Sequence, residues 1–333
     1  MRRAETISAL GFLLVVVAWG FNYPFLRLGT QFAPPAVLFF LRALAGLLVM
    51  IPLLRVIGWH VELSHPQILR ALGIGTVGYG AFFLLWGYAA AGVPPGEASV
   101  FIYLFPIWVL LLSAPILGRL PRPLQLAGVL LGFGGVVLVA GVGTQALQGS
   151  PRDLLLLTAA GLCWAIGTVL SKRVFARIEM VAANGWQLAA GTALLGVVAA
   201  ATEPWGSIRW TGDLLVVVAW TGILGTGAAY LIWYYLLARN AAGPLSAFTF
   251  LVVVVAWVGS VSFFREAIDP PQVIGVALIL VALYLVGRGG TAEIASPPER
   301  EAVGPMGNQS LPGATRTQES SLSACSGDER MMA

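Results

Sequence analysis

The stretch Gly75–Tyr88, GTVGYGAFFLLWGY, is written a second time at Gly222–Tyr235 as GILGTGAAYLIWYY. The pairs Gly75/Gly222, Gly78/Gly225, Gly80/Gly227, Ala81/Ala228, Leu84/Leu231, Trp86/Trp233 and Tyr88/Tyr235 all stand 147 positions apart. The register continues through Gly96/Gly243, Ser99/Ser246, Phe101/Phe248, Pro123/Pro270, Gln125/Gln272 and Gly128/Gly275. Two unrelated apolar segments would not keep one offset through glycines, a tryptophan and a glutamine alike. The chain is a tandem duplication, and its fold must be one that can be built twice.

What is duplicated is membrane-spanning. Hydrophobic residues make up 58% of the chain and charged residues 10%, where a soluble globule carries about a quarter charged. The apolar residues come in blocks of roughly twenty, long enough to cross a ~30 Å hydrocarbon core as helices. The ~10-residue alternation of a membrane barrel is absent. Ten spans are predicted, at 7–28, 34–54, 68–91, 96–117, 123–143, 153–173, 181–201, 213–237, 244–264 and 270–287. Met1–Arg2–Arg3 and the apolar run behind it have the look of a signal peptide. The run extends through Phe25, however, and Trp19 matches Trp164 of the second copy, so it is read as the first span. The two copies cover 7–143 and 150–288, and 289–333, rich in Ser, Pro, Gly, Glu and Arg, is predicted as a disordered cytoplasmic tail.

Five spans per copy is an odd number, so the second copy must lie upside down relative to the first. Charge supports this. With the N-terminus inside, Arg2, Arg3, Arg55, Arg70, Arg119, Arg122, Lys172, Arg173, Arg177, Arg239 and Arg288 fall on the cytoplasmic side, and Arg27, Arg152, Arg209 and Arg265 outside. Both termini are expected in the cytoplasm of a multi-pass plasma (inner) membrane protein. Inverted repeats in an all-helical membrane protein are a transporter architecture, with the site near the midplane between the repeats and access alternating from its two ends.

Polar residues inside the spans are the candidates for that site, because each must find water, a partner or a substrate. Arg42 lies eight residues, about 12 Å, into the second span. Its bland alternative is a side chain snorkelling to the interface. The repeat counterpart is Gln187, with Ala45/Ala190 and Gly46/Gly191 following in register. Asn22 sits in Trp19–Gly20–Phe21–Asn22 just before Pro24, which suggests a kinked helix offering Asn22 to a cavity, or Asn22 joining two helices. Tyr79, Trp86, Tyr103, Trp164 and Tyr230 are deep enough to be cavity walls or plain core. Trp59, Trp205 and Trp210 read as interfacial belt, and the glycines of the third and eighth spans, with Gly128 and Gly132, as packing positions. Glu97 and Glu266 stand near the outer ends of the fourth and ninth spans; they are candidates for ion coupling, with Glu97 as a helix-end cap the alternative.

Several functions are excluded on composition. A net charge of +4 spread over loops does not suggest a nucleic-acid partner. Two cysteines, Cys163 and Cys325, and two histidines, His60 and His65, make no metal-ligand set and no disulfide framework. No phosphate loop or Ser/His/Asp arrangement occurs. An enzyme is not expected, nor a cofactor or metal; the expected partners are a small-molecule substrate and the lipid bilayer, and a homodimer is compatible with them.

Taken together, the two five-helix copies, Trp19–Gly20–Phe21–Asn22, Leu41–Arg42, Phe105–Pro106 and the closing Phe264–Arg265–Glu266 with Gln272–Val273–Ile274–Gly275 resemble the EamA-type transporters of the drug/metabolite transporter superfamily. The resemblance covers about 7–288. It implies ten helices in an inverted repeat and export or import of a small metabolite such as an amino acid or related compound, export being the expected direction. Members commonly carry Gly-Glu after the fourth helix; here Gly118 is followed by Arg119, and Glu266 keeps the acid in the second copy only. A nucleotide-sugar or sugar-phosphate carrier would need more intramembrane basic residues than Arg42 alone. A receptor or scaffold that moves nothing would be separated from a carrier by a transport assay.

Overall fold

The computed structural model describes residues 2–56, 61–118, 120–141, 147–264 and 269–288. Arg119, Glu266 and the tail therefore lie outside the described residues, as does Trp59. The regular structure of the described residues is all helical and holds the ten predicted spans. Eight are long and apolar enough to cross a membrane by themselves, and the fifth and ninth contain the shorter apolar helices Pro123–Val139 and Ala242–Val258.

Local sequence explains where the helices begin. The second span (Pro35–Val56), the fifth (Pro123–Val139), the sixth (Pro151–Val174) and the tenth (Pro270–Arg288) each open on proline, whose missing N–H is no loss in the first turn. Ser150 adds a cap to the sixth, its Oγ accepting from the Asp153 amide at 3.2 Å. The second span is capped from far away in sequence. Glu203, just beyond the seventh span (Arg177–Thr202), accepts from the amides of Ala36 and Val37 at 3.0 and 2.8 Å.

Five spans are not simple helices, the ninth being broken between Ala242–Ala247 and Phe250–Phe264. The first runs Arg2–Gly20 and then Asn22–Gly29, jointed at Phe21. Pro24 cannot donate to the Gly20 carbonyl one turn back, which is the kink expected from the sequence. The fourth breaks between Pro95–Ile102 and Phe105–Leu117, where Pro106 has the same relation to Ile102. The third (His65–Ala90) and eighth (Gly212–Arg239) contain wider, π-wound stretches at Thr76–Ala81 and Ala219–Ala228. Those stretches fall inside the duplicated motif.

The two copies meet across a pseudo-two-fold relation, visible in matched contacts. Gly75 lies against the Gln187 backbone, and its counterpart Gly222 lies against the Arg42 backbone. Gly78 lies against Gly167, and Gly225 against Asn22. The third span thus crosses the seventh and sixth as the eighth crosses the second and first. Bare backbone at the crossing is what permits the approach. Loop contacts sort the span ends into two sets. Glu97 with Gln148 and Gly149, Glu203 with the start of the second span, and Arg209 with Gln31 gather at one end. Gln67 with Glu179 (2.6 Å) and Lys172 with the Leu237 carbonyl (2.5 Å) gather at the other.

Candidate functional site

The joints of the first and fourth spans and the middle of the second converge on one small cavity. Asn22 and Tyr23 come from the joint of the first span, and Ile102 and Tyr103 from that of the fourth. Trp19, Arg42, Trp86, Trp164 and Tyr230 complete the wall. The volume is about 20 Å³, room for about one water molecule.

The wall is mostly aromatic. Trp164 stacks on Phe105 with ring centroids 3.7 Å apart and planes 13° off parallel, and meets Trp19 edge-on at 5.2 Å. Tyr23 leans on Trp86 at 5.3 Å and Tyr230 on Trp19 at 5.1 Å. The Trp19 indole donates to the Gly225 carbonyl at 2.9 Å, whereas its repeat counterpart Trp164 has no acceptor for Nε1.

Into this wall is set a whole guanidinium. Arg42 is fully buried, with its Cζ 4.5 Å from the Phe83 ring centroid, 5.2 Å from Phe39 and 5.3 Å from Trp86. Nε and Nη2 both donate to Thr226 Oγ1, at 3.3 and 3.2 Å, while Nη1 has no partner. Ring faces offset part of the cost of burying a cation, each contributing about 0.5–2 kcal/mol. They do not replace a counter-ion, and among the described residues no acidic one lines the cavity. Asn22 Oδ1 is likewise buried without a donor. Among the residues that line the cavity, two donors, Arg42 Nη1 and Trp164 Nε1, and one acceptor, Asn22 Oδ1, are thus buried without a partner. Buried polar groups left open in this way carry a desolvation cost that a suitably charged ligand relieves.

Of the eight residues expected at a binding site, Asn22, Arg42, Trp86, Tyr103, Trp164 and Tyr230 line the cavity, and Tyr79 and Gln187 do not. These two belong to a separate buried network. Tyr79 donates to Asn184 Oδ1 at 2.5 Å. Tyr234 donates to Gln187 Oε1 at 2.7 Å, and Gln187 Nε2 donates to Ser171 Oγ at 2.9 Å. Both ends of the Gln187 amide are consumed, whereas its counterpart Arg42 keeps a free edge. Tyr79 still touches the wall from behind, its ring 4.7 Å from that of Tyr230. Glu97 is away from the cavity, its carboxylate accepting from the amides of Gln148 and Gly149 at 3.0 and 3.2 Å. Trp19, Tyr23 and Ile102 were not expected in the wall. Pro24 and Pro106, each marking a joint, are the sequence signals that could have found Tyr23 and Ile102. Among the described residues no cluster of His, Cys, Asp or Glu could hold a metal.

Comparison with known proteins agrees with this architecture. The EamA-like transporter family profile matches twice, at residues 6–141 and 152–288. The chain is 25% identical over 295 residues to an uncharacterized transporter of Bacillus subtilis, YvbV, covering 88% of this chain and 95% of that one. It is 31% identical over 273 residues to an uncharacterized transporter of Synechocystis, sll0355, covering 73% and 78%. A Salmonella typhimurium relative, 25% identical over 284 residues with 82% and 92% covered, is named "Probable amino-acid metabolite efflux pump". A crystal structure of 24% identity superposes with a TM-score of 0.70 over 84% of this chain and 96% of that one, a likeness of fold. Double occurrence of the family profile, matched crossings of the two copies and the ten apolar spans have one reading: the chain is a multi-pass membrane protein that belongs to the EamA-like transporter family.

Proposed function

We propose that this protein exports a small carboxylate-bearing metabolite, an amino acid or close relative, across the plasma membrane by alternating access between its two repeats. The observation that carries the reading is Arg42, a buried guanidinium with a free Nη1 in an aromatic cavity that no acid lines. A planar cation with fixed donors suits a carboxylate. Asn22 Oδ1 is an acceptor suited to an ammonium group on the same small molecule. The efflux pump named above supports the amino-acid class. A volume of about 20 Å³ is too small for such a ligand, which fits a closed state that opens to one end at a time.

Uptake into proteoliposomes of the twenty common L-amino acids, each paired with its α-amide, tests this. Wild-type protein is expected to carry one or more acids and to reject their amides. Arg42→Gln is expected to raise KM for the acids by at least about tenfold, since a charge-assisted pair contributes roughly 1.5–3 kcal/mol. A wild-type KM in Arg42→Gln would remove Arg42 from the site. The orientation, with both termini cytoplasmic, follows from the distribution of Lys and Arg. Fusions at the C-terminus check it: a fluorescent protein should glow and a periplasm-dependent phosphatase should stay silent, and the opposite pair of results would invert the topology.

A further inference from the structure

The aromatic faces around Arg42 hold a cation without deciding which edge of it meets the cavity. Phe39, Phe83 and Trp86 all present rings to Cζ, and a guanidinium can turn among ring faces at little cost. Among the described residues the one directional contact of Arg42 is with Thr226. A hydroxyl has a single donor and two lone pairs. The Thr226 hydroxyl donates to the Thr221 carbonyl at 2.8 Å, five residues back within the π-wound stretch Ala219–Ala228. Its hydrogen is thus committed, and both Arg42 contacts fall on its oxygen. The Thr226 side chain is itself pinned: its Cγ2 and Cβ crowd Gly46, where an added Cβ would come within 2.7 and 2.8 Å. Gly46 lies one turn beyond Arg42 on the second span.

The geometry divides the guanidinium into two edges. Nε and Nη2 form the side-on edge, and Thr226 occupies it. Nη1, without a partner, belongs to the end-on edge. The first copy has no such device. Tyr79 stands at the position equivalent to Thr226, and its hydroxyl goes to Asn184, not to Gln187.

We propose that Thr226 is a positioning residue which, by holding the side-on edge of Arg42, turns the end-on edge toward the carboxylate of the substrate and so sets the preference for an acid over its uncharged amide. This rests on the reading of the cavity as the substrate site. Thr226 does not touch the substrate; it acts through Arg42.

The test uses full-length protein in proteoliposomes with the twenty L-amino acids and their α-amides as probes, and reads KM and the maximal rate separately. Thr226→Val keeps the shape and removes the hydroxyl, and Thr226→Ser keeps the hydroxyl. Thr226→Val is expected to raise KM for the carried acids about tenfold with the maximal rate retained, and so to shrink the acid-over-amide ratio. Thr226→Ser is expected to restore the ratio. An unchanged ratio in Thr226→Val overturns the proposal. So does an equal fall in maximal rate in both variants with the ratio intact, the outcome of a packing role alone. Loss of the ratio in Arg42→Gln beside a wild-type ratio in Thr226→Val strikes the positioning role and leaves the site standing. A wild-type ratio in Arg42→Gln, or wild-type protein that carries none of the twenty acids, overturns both.

Discussion

Arg42→Met is expected to abolish carriage of a carboxylate substrate and to leave the purified protein as heat-stable as wild type, or more so. The guanidinium is fully buried among Phe39, Phe83 and Trp86 without a carboxylate partner, so the fold bears its desolvation. Replacing a buried ion by an apolar side chain of similar length is often neutral or stabilising by about 1–4 kcal/mol. Thr226 keeps its bond to the Thr221 carbonyl after the change, so no new buried donor is stranded. Gln187, in the matching place of the other copy, should behave in the opposite way. Gln187→Leu strips the acceptor from the buried Tyr234 hydroxyl and the donor from Ser171. An orphaned buried hydroxyl costs about 1–3 kcal/mol. Thermal unfolding should therefore fall in Gln187→Leu with KM held, and hold in Arg42→Met with transport lost. The reverse pattern, a lower Tm and normal uptake in Arg42→Met, would assign Arg42 to the scaffold.

The crossed expectation turns on an asymmetry within a symmetric frame, and the two were not equally legible in the sequence. The frame was. Gly75/Gly222 and Gly78/Gly225 hold one register because each sits at a close crossing, against backbone at Gly75, Gly78 and Gly222 and against the Asn22 side chain at Gly225, where little but glycine is tolerated. Arg42 and Asn22 stood out for a related reason, since a polar side chain in a span is costly unless it is used. The cavity wall was much less visible. A span that is apolar all round carries no periodicity to say which face turns inward, so Tyr23 and Ile102 had no mark apart from the prolines at the nearby joints, and Trp19 only its match to Trp164. Tyr79 and Tyr230 looked alike as deep tyrosines. Only the packing separates them, one hydrogen-bonded to Asn184 behind the wall and one in it. The π-wound stretches were equally silent, because a wider turn follows from tertiary contacts of the helix and not from a residue type.

Gly75→Ala is expected to cost more stability than any other single-methyl change in the third span. A Cβ at Gly75 would fall on the Gln187 backbone, with the carbonyl carbon 2.6 Å away. Backbone in the middle of a helix cannot swing aside as a side-chain tip can, so the seventh span itself would have to shift. Overpacking of this kind typically costs about 1–3 kcal/mol, and more where the obstacle is rigid. The shift would also move Gln187 relative to Tyr234 and Ser171 and weaken the network that joins the seventh span to the sixth and eighth. Gly73, two residues earlier in the same helix, is the control. A Cβ there meets nothing within 4 Å, and the better helix propensity of alanine should make Gly73→Ala neutral or stabilising by up to about 1 kcal/mol. By the repeat, Gly222→Ala should resemble Gly75→Ala, because its Cβ would come within 2.8 Å of the Arg42 carbonyl oxygen and 2.7 Å of the Ala45 Cβ. Thermal unfolding of the three variants in detergent decides the matter. Equal melting temperatures for Gly75→Ala and Gly73→Ala would mean that the third and seventh spans do not cross at bare backbone, and the paired crossing of the eighth and second would then lose its support as well.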